Sequence, residues 1–366
     1  MTQTIVVIGG GVVGLNVAHF LAEQNSQNEI YLLETETYLG HHTSTRNSEV
    51  LHAGIAYPPD SLKARLCVEG NQKSRELFEK LKVPYRASGK YVIATNLDEA
   101  AALEKTVANA LASHAIPLEL RTAEQVVAAI PEMKKPALAY FAPSTAIIDV
   151  SSYIRILDQA LSEKSNGSLI HPCRVLAVDT TKNILTTERG EMPYDILINS
   201  AGLWADEVYK MCGGKRNFEI RPYKGEYYRW KNSKIKEVIY PVPHRFFASS
   251  HEAAKISSLG MHFHCNLGGE VLLGPSQEIT DRKDNYSMNL PPEYFIAAVA
   301  AFLKEPPRAQ DLEQAYVGNR PKLFEDGKAL GDFVICKENN IIHLLGIESP
   351  GLTAAPAIAE YVAQLL

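Results

Sequence analysis

At 366 residues, with 46% hydrophobic and 22% charged side chains, the chain has room for a large core and for two domains. Its net charge of −5 excludes a general attraction to nucleic acid or anionic lipid. Five cysteines (Cys67, Cys173, Cys212, Cys265 and Cys336) are odd in number and form no CxxC pair, which fits reduced thiols in a cytoplasmic compartment rather than a disulfide framework.

In chain order, the β-branched run Ile5–Ile8 predicts a strand, and Val13–Gln24 a helix with Val13, Val17, Phe20 and Leu21 on one stripe. Between them lies Gly9-x-Gly11-x-x-Gly14, and a second apolar run, Ile30–Leu33, ends at Glu34. Strand, glycine turn, helix, strand and acid in this order are the signature of a dinucleotide-binding βαβ unit. Gly9 permits the tight turn, Gly11 lets backbone approach a pyrophosphate, and Gly14 lets helix and strand pack closely. Glu34 is placed to accept hydrogen bonds from a ribose.

A polar loop, 41–48, leads to a short apolar segment ending in His52. Helices are expected over 61–81, 98–115 and 151–163, with a strand at 89–94. Short strands follow at 175–180 and 184–187, then a fully apolar one within 194–202, of the kind found at the centre of parallel sheets. From 215 to about 273 the pattern alternates, as in antiparallel strands. A strand at 341–346, a turn at 347–351 and a helix over 352–365 close the chain. The expected fold class is α/β: a discontinuous Rossmann-like domain (1–84, 150–214 and 318–366) with an inserted antiparallel-sheet substrate domain (85–149 and 215–317). No stretch approaches the roughly 18–20 apolar residues that span a bilayer, and the apolar start lacks a basic leader. A soluble, at most peripheral, protein is expected.

Several segments together resemble the FAD-dependent oxidoreductases of the D-amino-acid oxidase type, and within them the L-2-hydroxyglutarate dehydrogenases. They are Gly9–Gly14, 44–55, 61–67, 239–243, 273–275, 320–323 and 346–353. The chain departs from that pattern at Ala56, where a second tyrosine is common beside Tyr57, at Asn319, where a branched apolar residue is usual, and in a longer stretch over 244–258. The resemblance implies an FAD cofactor and oxidation of L-2-hydroxyglutarate to 2-oxoglutarate by hydride transfer to flavin N5, with electrons passed on to a quinone or to oxygen. A related oxidation of glycerol 3-phosphate or an amino acid is the alternative within the fold. A non-catalytic nucleotide-binding or redox-sensing module is the alternative outside it.

On this resemblance Thr45, Arg46, Asn47 and Ser48 line the ribityl chain and ring edge. Val175, Ala201 and Gly202 approach the adenine and diphosphate. Gly351, Leu352 and Thr353, at a helix start, offer N–H groups and a positive dipole end where the reduced flavin gathers charge. His52, beside small Ala53 and Gly54, is a candidate base for the substrate hydroxyl. His262 shares or replaces that role; a metal reading of His262 and His264 lacks a third ligand. Arg320 offers a planar fork for a carboxylate, and Lys224 is read as holding a second carboxylate or facing the flavin. Residues 215–236 carry eight Lys/Arg against two Glu. That stretch is either the wet face of antiparallel strands or a peripheral contact on the inner face of a membrane, where a quinone would accept electrons.

Overall fold

The computed structural model describes residues 2–112, 118–242 and 260–366. A six-stranded sheet runs in the order Val334–Glu338, Ile341–Leu345, Ile196–Asn199, Thr4–Ile8, Glu29–Leu33, Gly167–Ile170. All its pairings are parallel except that of Val334–Glu338 with Ile341–Leu345. Side-chain alternation along Thr4–Ile8 sends the strand into two cores. Ile5 and Val7 meet the helices Val12–Gln24, Val150–Ser162 and Gly351–Gln364 on one face. Val6 and Ile8 meet a three-stranded sheet (Val175–Asp179, Ile184–Thr187, Gly190–Pro193) on the other. A strand buried on both faces has no polar position to spare, which is why it reads as an unbroken apolar run.

The second sheet has ten strands. Its core is a ribbon in which Phe218–Trp230 pairs antiparallel with Leu312–Glu325 over their whole length. Val271–Gly274, His262–Cys265, Val238–Pro241, Tyr91–Ala94, Leu138–Phe141 and Glu119–Arg121 extend it in that order. Val238–Pro241 and Tyr91–Ala94 run parallel. The helix Pro292–Val299 covers one part of this sheet through Phe295 and Val299. The helix expected over 98–115 occupies Leu97–Ala112, and its last three expected residues lie outside the described part. The expected domain division at 318 falls inside the single strand Leu312–Glu325. Among the described residues no helix is long and apolar enough to cross a membrane.

Candidate active site

The fold places the glycine turn, the loop 43–48, the start of the C-terminal helix and the two-stranded ribbon around one cavity of about 520 Å³. Gly9 sits at φ +109°, and a Cβ there would come within 2.5 Å of the Ser200 carbonyl oxygen. A Cβ on Gly14 would collide with the Gly9 carbonyl, so the helix could not seat against its strand. Gly11 faces the cavity, where Val12 N–H is held at 3.0 Å by Ser44 Oγ. Glu34 uses one carboxylate oxygen on Gly10 N–H (2.7 Å) and the other on Glu36 N–H (2.8 Å), and burial pushes its pKa up. A carboxylate has about four lone-pair sites, and with the Thr35 backbone also engaging it one remains for a ribose hydroxyl. At the far end Gly351 and Leu352 line the cavity at the first turn of Gly351–Gln364. These features fit an extended dinucleotide with its phosphates on the first helix start and a flat ring against the second.

His52 is anchored by its backbone: its N–H donates to Thr353 Oγ1 at 2.8 Å, and its carbonyl accepts from Asn71 Nδ2 at 2.9 Å. The ring reaches the cavity with Nε2 3.5 Å from Ser349 Oγ. Burial holds His52 and His262 well below the ordinary histidine pKa, and neighbouring cationic groups add to the effect. His262 Nε2 lies 3.0 Å from Ser48 Oγ, which in turn meets the Tyr227 hydroxyl at 2.9 Å. Both imidazoles are therefore neutral near pH 7 and able to take a proton.

Arg320 lines the same cavity. Its guanidinium donates to the Tyr223 carbonyl (3.4 Å) and the Ser276 carbonyl (3.1 Å), neutral acceptors that aim the fork without discharging it. Lys224 does not line the cavity, contrary to the sequence expectation. It is buried, and its ammonium is taken by Glu226 at 2.8 Å and Glu278 at 3.1 Å, with the Ser287 carbonyl at 3.1 Å. An ammonium so engaged has no donor left for a ligand, so Lys224 braces the segment 276–290.

Arg46, Asn47, Ser48 and Gly202 join the cavity wall. Gly9, Gly14, Glu34, Thr45, Val175, Ala201 and Thr353 are not among its lining residues. The Thr45 hydroxyl donates to Gly40 O at 2.8 Å, Val175 packs with Leu33 and Cys173, and Ala201 packs against the same core as Val175. Thr353 is fully buried beneath His52. Sequence reasoning missed Tyr240 and Tyr227, both of which line the cavity, and the buried cluster in which Lys63 (2.7 Å) and Lys322 (2.8 Å) share Glu348 Oε1. Tyrosines recurring along the alternating runs were the available signal for the former. Nothing local to positions 63, 322 and 348 announces the latter. In the basic stretch 215–236, Arg216, Arg221, Lys224, Arg229 and Lys231 each meet a carboxylate, which removes most of its value as a membrane-facing patch.

Residues 4–365 match the family DAO, FAD dependent oxidoreductase. The chain belongs to this family. FAD is accordingly the cofactor, and it is a group that this cradle fits. The family member L-2-hydroxyglutarate dehydrogenase of Indibacter alkaliphilus is 28% identical over all of this chain and 98% of its own length. The Escherichia coli K12 protein of the same name is 30% identical over 77% of this chain, and the chain spans 65% of it. Among solved DAO-type folds, L-alpha-glycerophosphate oxidase from Mycoplasma pneumoniae with FAD bound superposes with a TM-score of 0.82 at 22% identity, covering all of this chain and 95% of the other.

Proposed function

We propose that the protein oxidises L-2-hydroxyglutarate to 2-oxoglutarate. The observation that carries this reading is the opposition, in one cavity, of two neutral histidines and an arginine fork with no carboxylate partner among the described residues. Relatives named L-2-hydroxyglutarate dehydrogenase support the choice of substrate. Arg320 binds a substrate carboxylate bidentately and so fixes the adjacent C2 carbon. His52 accepts the hydroxyl proton through Nε2, with Ser349 steadying the ring, and His262, whose Nε2 meets Ser48 Oγ, is the alternative base. Apolar and aromatic walls, among them Tyr227 and Tyr240, exclude water from the reacting carbon. When bound, FAD supplies the two-electron acceptor.

We further assign segments 1–84, 150–214 and 318–366 chiefly to cofactor binding, and 85–149 and 215–317 to the substrate side. Electrons leave to oxygen or to a quinone. The test is anaerobic mixing of the flavin-loaded protein with L-2-hydroxyglutarate, D-2-hydroxyglutarate, glycerol 3-phosphate and a panel of amino acids. Loss of the oxidised-flavin absorbance with the first alone supports the reading. Bleaching by glycerol 3-phosphate or an amino acid instead overturns it.

A further inference from the structure

Behind the histidine side of the cavity lies a lysine that none of the steps above uses. Lys90 immediately precedes the strand Tyr91–Ala94, next to Val238–Pro241, and is 4% exposed. Among the described residues no carboxylate pairs with it. Its ammonium lies 4.5 Å from the centroid of the Tyr240 ring. That ring also stacks on His262, with centroids 3.8 Å apart and planes 13° from parallel, and meets His52 edge-on at 6.2 Å. One tyrosine thus touches the cation and both candidate bases. Burying an ammonium without a counter-ion costs several kcal/mol, whereas a cation–π contact returns only about 0.5–2 kcal/mol. The contacts of the described residues therefore do not account for Lys90 at this position through stability.

We propose that Lys90 is a positioning residue that acts through Tyr240 on His262 and His52, holding both rings as neutral proton acceptors at the cavity wall. The proposal rests on the reading of those histidines as the bases of the reaction. The groups facing the rings come from every surrounding element. They are Lys90 itself, His264 on the strand of His262, Cys67 on the helix Leu62–Leu81, Ser48 and Tyr227 beside His262, and Ser349 and Tyr57 beside His52. Burial raises the Cys67 thiol to about 12, so it is uncharged, and among the described residues Lys90 is the one full charge acting on both rings. Its field and burial push in the same direction, against imidazolium. Burial lowers Lys90 itself to about 8, so its influence belongs to neutral and acid pH and fades above that value.

The test uses the flavin-loaded protein with carbon-labelled histidine rings, comparing wild type, Lys90→Met and Lys90→Arg. Ring resonances are followed across pH, and the rate of flavin bleaching by L-2-hydroxyglutarate is profiled over the same range. In Lys90→Met the titration midpoints of His52 and His262 rise by roughly half a pH unit or more, and the acid limb of the rate profile moves up with them. Lys90→Arg returns both towards wild type. Unmoved midpoints and an unmoved limb in a folded Lys90→Met that keeps its flavin overturn the proposal and leave Lys90 a packing residue. Should Lys90→Met fail to fold, Lys90→Gln removes the charge with a polar side chain and serves the same comparison. If wild type bleaches with no 2-hydroxy acid, the substrate reading fails, and the ring titrations alone decide the role of Lys90.

Discussion

Gly225 and Arg320 lie diagonally across the ribbon, so close that a Cβ on Gly225 would lie 2.8 Å from Arg320 Nη2. The glycine keeps the space the guanidinium needs in order to reach the Tyr223 and Ser276 carbonyls. Gly225→Ala should therefore turn the fork away and raise KM for the hydroxy acid by about tenfold, equivalent to about 1.4 kcal/mol, with kcat less affected. Arg320→Ala should raise KM further, by about 2–4 kcal/mol of lost carboxylate contact. Steady-state kinetics on both variants check this; a Gly225→Ala enzyme with wild-type KM would place the carboxylate elsewhere.

Removing a general base costs roughly 10²–10⁴ in rate. His52→Ala is expected to lose kcat on that scale, with KM nearly unchanged and flavin retained. His262→Asn should lose less, since its Nε2 is already committed to Ser48. Single-turnover flavin reduction separates the two variants. The reverse ranking would move the base to His262.

Gly14→Ala should abolish cofactor retention, because a methyl group there collides with the Gly9 carbonyl and opens the helix start that receives the phosphates. The readout is the flavin-to-protein ratio after gel filtration. A yellow, stoichiometric Gly14→Ala protein would show that the turn does not hold the dinucleotide.

Lys322 and Lys63 together hold the buried Glu348 carboxyl at about 2, against an ordinary value of 4.5. A depressed acid stabilises the fold fully above its unfolded pKa, and that contribution disappears as pH falls from about 4.5 towards 2. Glu348→Gln leaves two buried ammoniums without their carboxylate and should cost about 3–5 kcal/mol at pH 7. Urea unfolding of the two proteins should show the gap narrowing as the solution is acidified through that window. A gap independent of pH would mean that the cluster contributes by packing alone.

The nucleotide half was legible because its signals are local. Glycine spacing, a doubly apolar strand and a following acid all fall within residues 5–34, and the observed strands and helix match them within a residue. The ribbon was harder to read. Pro222 and Pro321 lie opposite one another in its two strands, as do Gly225 and Gly318. Proline and glycine argue against strand interiors, and the pattern predicts no strand over Leu312–Glu325, so the expected domain boundary at 318 falls within it. Lys224 was misplaced for a different reason. Glu226, two residues on, lies on the same strand face, but Glu278 arrives from 54 positions away, and only the folded chain shows the lysine to be saturated. The cofactor contacts at Thr45 and Thr353 were one step off. The loop and the helix start do line the cavity, yet these two hydroxyls turn inward to hold Gly40 and His52.

Gly318 runs so close beneath the loop 43–48 that a side chain there would strike the Arg46 carbonyl, and Arg320 stands only two residues further along the same unbroken strand. In a β-strand that interval is about 6–7 Å, and it cannot stretch. On the proposed function, this strand sets a fixed spacing between the loop against which Gly318 packs and the guanidinium proposed to anchor the carboxylate. A substrate would then be measured from its acid group to its oxidised carbon, and what varies beyond that carbon would be left to the rest of the cavity to judge.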